Sequence, residues 1–324
     1  MLDYSFRNLR MWSMLGSCGA FGMAALELPE IDDRVVVLTA DLTTFSGLER
    51  FKAKFPDRLY NFGIAEQNMV GVAAGFAKEG FIPYATTYAT FASMRAADQV
   101  KVNMGYMKHP VKLVGLTAGY SVGMLGATHM SLEDIAVMRS IPNVTVLSPA
   151  DCMSVVKATV AALKCPGPVY LRLSGVMNNP MVYREDFEFE IGKAIRLREG
   201  SDISIFATGS MVSFALKAAD CLVEHGIDTE VIDFHTIKPL DVSSVKSALA
   251  KRLIVTVEEH SRIGGFGSAV AEALSLERMR PPHLIIGTDD QYPHAGHYED
   301  LLVSSGLSVG GIVEKIEKAY QEIK

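Results

Sequence analysis

Short runs of β-branched and aliphatic residues alternate along the chain with longer stretches of helical period. Val35–Thr39, Ile82–Ala85, Val111–Leu116, Val144–Leu147 and Val169–Leu173 are mostly apolar, as in strands covered on both faces. Between them, apolar positions recur at helical spacing over Glu66–Lys78, Phe91–Met104, Leu132–Ser140 and Asp151–Leu163. Pro149 and Asp151 supply a turn and an N-cap for the last of these. An earlier apolar stretch, Met11–Leu28, is interrupted by Gly16, Gly19, Gly22, Ser13 and Ser17. That composition suits a buried helix against close neighbours better than a bilayer span of about 20 apolar residues. After Leu173 the pattern breaks. Residues 174–201 hold Pro, Asn and a charge run, with edge strands expected at Phe187–Ile191 and Ala194–Leu197. A second series follows: strand Ile203–Ala207, helix Met211–His225, strands Thr229–Asp233 and Leu253–Val257, helix Phe266–Leu276, strand His283–Ile286 and helix Val309–Ile323. The alternation predicts an α/β protein of two consecutive parallel-sheet domains, residues 1–178 and 201–324, joined by a linker over 179–200.

Composition narrows the function classes. The chain has 324 residues, 49% of them apolar, which is enough for two buried cores and excludes a disordered or coiled-coil chain. The 31 Lys and Arg against 37 Asp and Glu leave a net charge of −6, with no electrostatic footprint for nucleic acid. Cys18, Cys152, Cys165 and Cys221 are scattered without a CxxC pair, which suggests neither a disulfide framework nor a metal site and fits a reduced, cytoplasmic chain. The N-terminal segment, with Asp3, Arg7 and Arg10, lacks the apolar run of a signal peptide, so no membrane association is expected.

Two segments carry candidate chemistry. In Tyr60–Met69 a strand-like run ends at Gly63 and Glu66 opens a helix. Open α/β sheets bind ligands at such strand ends, although an acidic residue in a first helical turn is also explained by the helix dipole. Tyr88 and Phe91 follow the run Ile82–Ala85 and offer either a wall for a flat heterocycle or ordinary core packing. Two weaker signals lie downstream. Gly264–Gly267 reads GGFG between a strand and a helix, as a phosphate-cradling loop would, but Val270 occupies the third glycine position of a dinucleotide fingerprint. His294 and His297 are spaced for two zinc ligands, with no third ligand suggested nearby.

Taken together, GIAEQNM at 63–69, TYATF and RAADQ within 87–99, ADL at 40–42, the long run 126–151 and VEEHSRIGGFGSAV at 257–270 resemble the transketolase-type thiamine diphosphate enzymes. The resemblance implies a pyrimidine-binding domain followed by a transketolase C-terminal domain. It implies that Glu66 is the glutamate that bonds the cofactor's pyrimidine ring nitrogen, that Phe91 and Tyr88 form the aromatic wall, and that Asp41 and Ile64 lie beside the cofactor. His129 would contact the donor sugar. The family's diphosphate-binding domain, with its GDG motif, has no counterpart here. The resemblance therefore implies the C-terminal subunit of a split transketolase. An N-terminal partner subunit would hold Mg²⁺ and the diphosphate, in an α2β2 heterotetramer with self-association of this chain. The expected reaction moves a two-carbon ketol unit from a ketose to an aldehyde acceptor. Alternatives are the β subunit of a 2-oxo acid dehydrogenase, a deoxyxylulose-phosphate synthase-like enzyme, or a non-catalytic scaffold subunit.

The chain also departs from the family's pattern. An acidic residue that reads a sugar hydroxyl falls on Leu125, a histidine near the phosphate on Thr117, and a phosphate-gripping arginine on Gly175. Replacing charged ligands in this way should weaken phosphate binding, leaving Arg7, Arg10 and Arg172 as candidate replacements. One extra residue stands between Phe91 and Arg95 relative to the family, which shifts the aromatic wall by one position.

Overall fold

The structure is a computed structural model that describes residues 3–323. The apolar runs form strands β1 Val35–Thr39, β2 Leu59–Asn61, β3 Ile82–Tyr88, β4 Lys112–Ala118, β5 Thr145–Leu147 and β6 Val169–Ser174. The second half adds β7 Ile195–Arg198, β8 Ile203–Ala207, β9 Thr229–Asp233, β10 Thr236–Lys238, β11 Leu253–Ser261 and β12 His283–Thr288. They build a seven-stranded sheet in the order β10-β5-β6-β4-β3-β1-β2 and a five-stranded sheet in the order β12-β11-β8-β9-β7. Both are parallel except at one edge each, where β10 runs antiparallel to β5 and β7 antiparallel to β9. This is the two-sheet α/β architecture the alternation implies.

Alternation within single strands shows why the runs are apolar throughout. Val35 and Val37 point into a core with Phe21, Leu28 and Val156, while Val36 and Leu38 point into a second core with Met69, Val70 and Ala73. Both sheet faces are covered at β1, so none of its positions is left for water. The glycine-rich N-terminal segment folds as the helix Phe6–Ile31, interrupted at Gly16, whose φ of 74° breaks the helical path. Gly22 is required by close approach, because a Cβ there would lie 2.2 Å from the Gly47 carbonyl oxygen. The helix Cys152–Lys164 begins as its sequence indicates, with Asp151 and Ser154 forming a reciprocal capping box.

Three expectations need correction. Phe187–Ile191 is not a strand. Its aromatic rings are used for packing instead: Phe187 stacks on Tyr183 at 3.8 Å and Phe189 lies 4.0 Å from the His235 ring. Phe91–Met104 is not a regular α-helix, since it contains two π-helical stretches, Phe91–Arg95 and Val100–Tyr106. The halves also interpenetrate, because β10, from beyond the expected linker, supplies the edge of the first sheet. Backbone bonds from Ser148 N–H to His235 and from Ser261 N–H to Leu132 tie the halves further.

Candidate active site

In the first sheet the chain runs from β1 outward to β2 and then returns to β3 on the other side of β1. The crevice at the carboxyl ends of β1 and β3 is therefore a topological switch point, where open α/β sheets leave room for a ligand. Asp41 follows β1, Glu66 follows β2, and Tyr88 and Phe91 close β3, so the fold brings the sequence candidates to one sheet edge. The second sheet has its own switch point between β8 and β11. That one is filled. Glu259, buried at the end of β11, accepts bonds from the Tyr120 N–H at 2.6 Å, the Tyr298 hydroxyl at 2.7 Å and the Ser210 hydroxyl. Gly119 makes this possible: its φ is +69° and a side chain there would collide with the Glu259 carboxylate.

Glu66 is the first residue of the helix Glu66–Lys78 and is only 2% exposed. Burying a carboxylate is costly unless it is paired. Here Nη1 of Arg95 donates to both carboxylate oxygens, at 3.0 and 2.9 Å, and the Thr87 hydroxyl lies 3.4 Å from Oε1. The Arg95 guanidinium lies over the Phe91 ring, 3.9 Å from its centroid. Phe91–Arg95 is a π turn, in which the Ala96 N–H donates to the Phe91 carbonyl at 3.1 Å, five residues back.

Tyr88, Phe91 and His129 form one aromatic cluster. Phe91 and Tyr88 meet at 6.0 Å, and His129 packs edge-on against both, 5.3 Å from Phe91 and 5.8 Å from Tyr88. Burial pushes the Tyr88 phenol up from its ordinary pKa, so it stays a neutral hydroxyl. The His129 Nδ1 is 3.0 Å from the Thr128 hydroxyl. Phe45, exposed, lies 6.2 Å from Tyr88 and extends the wall outward. Ile64 is exposed at the lip, two residues before Glu66. Asp41, in a left-handed conformation with φ 60°, is engaged by Asn61, which accepts from the Asp41 N–H and donates to its carboxylate. Sequence reasoning gave Arg95 no role. The available signal was its i, i+4 spacing from Phe91 on a helical segment.

Other candidates are placed elsewhere. The GGFG turn is not open to a phosphate, because the N–H groups of Phe266 and Gly267 bind the chain's own Glu258 carboxylate at 2.6 and 2.7 Å. Burial raises Glu258 to about 7, against the lowering effect of those two bonds. Arg172 cannot serve a phosphate either. It is 1% exposed, paired with Asp134 at 2.8 Å, and donates to the Glu259 carbonyl at 2.9 Å. Arg7 and Arg10 line an open surface groove with Phe6, Met11, Met14 and Leu15. At Gly175 φ is +84° and a Cβ would approach the Asn179 amide to 2.8 Å, which excludes a long side chain there. Met124 and Leu125 are both exposed, 63% and 52%, giving the loop before His129 an apolar lip. Among the described residues, no group of three or more His, Cys, Asp or Glu is arranged to hold a metal ion, and His294 and His297 gain no third ligand. No described helix is long and apolar enough to cross a membrane.

The residues at the first switch point fit half of a thiamine cofactor: a buried carboxyl for a ring nitrogen beside an aromatic face for a flat ring. Comparison with known proteins places the two halves in known domain families. The transketolase pyrimidine-binding domain family matches residues 16–176, and the transketolase C-terminal domain family matches residues 192–312. A 6-deoxy-6-sulfo-D-fructose transketolase subunit of Clostridium sp. (strain MSTE9) is 43% identical over 89% of this chain and 89% of its own length. An apulose-4-phosphate transketolase subunit of Phocaeicola vulgatus is 36% identical over 93% of this chain and 96% of its own. A 1-deoxy-D-xylulose-5-phosphate synthase of Synechococcus sp. (strain JA-2-3B'a(2-13)) is 40% identical over 93% of this chain but only 47% of its own length. A solved split-gene transketolase, described as an inactive β4 tetramer, superposes with a TM-score of 0.85 at 38% identity, over 96% of this chain and 99% of its own.

Proposed function

The chain belongs to the transketolase family, and from that premise we propose that it is the C-terminal, pyrimidine-binding subunit of a split transketolase that moves a two-carbon ketol unit between sugars. The observation that carries this reading is the buried carboxyl of Glu66 at a topological switch point, joined through Arg95 to the Phe91 ring of the Phe91–Tyr88–His129 cluster. A scaffold subunit has no use for a carboxylate buried there. Thiamine diphosphate, when bound, supplies the carbon nucleophile that protein side chains lack. Glu66 holds a proton at a carboxyl oxygen for the pyrimidine ring nitrogen, and so activates that ring by proton sharing. Phe91 and Tyr88 orient the ring and exclude water from it. Ile64 and Asp41 border the same mouth, and His129 offers an imidazole hydrogen bond to a substrate hydroxyl.

The groups that hold Mg²⁺ and the diphosphate belong, in this reading, to an N-terminal partner subunit in an α2β2 assembly. Support comes from the relatives named as transketolase subunits, which this chain matches over 89% and 96% of their own length. The β4 state of the solved split-gene relative supports self-association of this chain. The more complete match to split transketolase subunits favours this function over a one-chain synthase. For substrates, the apolar Met124–Leu125 lip and the absence of cations at Thr117 and Gly175 support a sugar that presents less phosphate to this chain.

The test is ketol transfer by the purified chain with Mg²⁺ and thiamine diphosphate, with and without a diphosphate-binding partner, from xylulose 5-phosphate and from non-phosphorylated ketoses. Turnover is expected only in the assembled complex and without a strong preference for the phosphorylated donor. Robust turnover by the isolated chain would remove the split-enzyme reading.

A further inference from the structure

The cluster around Glu66 contains a cation that the proposed chemistry does not use. Arg95 donates through Nη1 to both Glu66 oxygens, while its guanidinium lies 3.9 Å from the centre of the Phe91 ring. Its backbone is held in turn, because the Gln67 side-chain amide donates to the Arg95 carbonyl at 3.2 Å. A flat, delocalised cation therefore sits on the aromatic face and bonds the buried carboxylate. Those are the two groups that an aminopyrimidine would need on the reading above, on which this inference rests.

The two partners make opposite demands on Glu66. A guanidinium has only protons to give, so it pairs with a carboxylate. A ring nitrogen has only a lone pair to give, so a bond to it requires the proton on the carboxyl oxygen. The Phe91 ring that would carry the pyrimidine also already carries the guanidinium. We infer that Arg95 is a stand-in for the pyrimidine: it occupies the ring's place and pairs Glu66 in the resting chain, and it leaves both groups when the cofactor binds. The geometry supplies the reason and the route. Without Arg95, Glu66 is a buried carboxylate with only a long contact to the Thr87 hydroxyl, which is a costly resting state. The Arg95 side chain is 43% exposed, so it reaches water by rotation without passing through the core. Arg95 is thus a positioning residue that delivers Glu66 intact to the cofactor.

The sign of one measurement decides the matter. Equilibrium binding of thiamine diphosphate with Mg²⁺ is measured on the chain assembled with a diphosphate-binding partner. Arg95→Met keeps the aliphatic stem and removes the competing guanidinium, and is expected to bind the cofactor about tenfold more tightly, as when one charged hydrogen-bonded competitor is lost. Arg95→Gln should shift in the same direction and serves if the methionine variant folds poorly. Arg95→Lys, which still pairs Glu66, should stay within a few fold of wild type. Glu66→Ala, which leaves no donor for the ring nitrogen, separates the two levels in the same assay. Binding by Glu66→Ala as tight as wild type would overturn the reading of Glu66, and this inference with it. Weakened binding by Glu66→Ala, with Arg95→Met unchanged or weaker than wild type, would show that Arg95 stays in the loaded site and would overturn the inference alone.

Discussion

Glu66→Gln should separate catalysis from stability, and the structure sets the size of each effect. The substitution is nearly isosteric and removes one negative charge from a pair whose carboxylate is 2% exposed and whose guanidinium partner is 43% exposed. Arg95 can turn to water, and the amide oxygen still accepts one bond from it, so the cost in folding stability should stay within about 1 kcal/mol. The catalytic cost is larger because an amide cannot share a proton with a ring nitrogen. Loss of a positioned acid–base group typically costs about 10²–10⁴-fold, which is about 2.7–5.4 kcal/mol of barrier at 1.36 kcal/mol per decade. The barrier effect thus exceeds the stability effect severalfold. Urea unfolding of the chain gives the first number. Hydrogen–deuterium exchange at C2 of the bound cofactor, with turnover in the assembled complex, gives the second. Exchange within about threefold of wild type would show that Glu66 is not the activating acid. A stability loss of about 3 kcal/mol or more would show that its role is structural.

Two further substitutions test the interior. Burial raises the Asp233 carboxyl to about 8, although the Tyr183 hydroxyl donates to it at 2.6 Å, and its Oδ1 has no partner. The folded state therefore holds an extra proton, so this group's stabilising contribution is complete below about pH 4 and is lost as pH rises through about 8. Asp233→Asn should match wild type near pH 4 and exceed it at pH 9 by up to about 5 kcal/mol, read from urea midpoints; equal midpoints at both pH values would show that Asp233 titrates normally. Arg172→Met should cost about 3–5 kcal/mol by leaving the buried Asp134 charge with only the Tyr170 hydroxyl as partner. The double variant with Asp134→Asn should recover part of that loss, and a single-variant cost below about 1 kcal/mol would mean the pair is not needed to stabilise the buried core.

The local signals in the chain were sufficient for the elements that depend on local physics. Val35–Thr39 reads as a doubly covered strand because its first four positions are all apolar, and Asp151 reads as an N-cap because it follows Pro149 and precedes an apolar helical period. The position of Glu66 at a strand end was legible for the same reason, and the motif around it named the chemistry. The contacts that determine what each charged group does were not legible, because they join residues far apart in the chain. Arg95 reaches Glu66 across 29 residues, and it does so from a π turn that no periodicity announces. Arg172, which looked available for a phosphate, is buried against Asp134, 38 residues earlier, and Glu259, 87 residues later. The GGFG turn has the form of an anion cradle, but only tertiary structure reveals that Glu258 already fills it. The three residues of β10 are too few to show a period, and they become a strand only because the edge of β5 is there to receive them. Periodicity and capping are short-range and so are written along the chain, whereas the pairing of buried charges is decided by which strand ends the sheet order brings together.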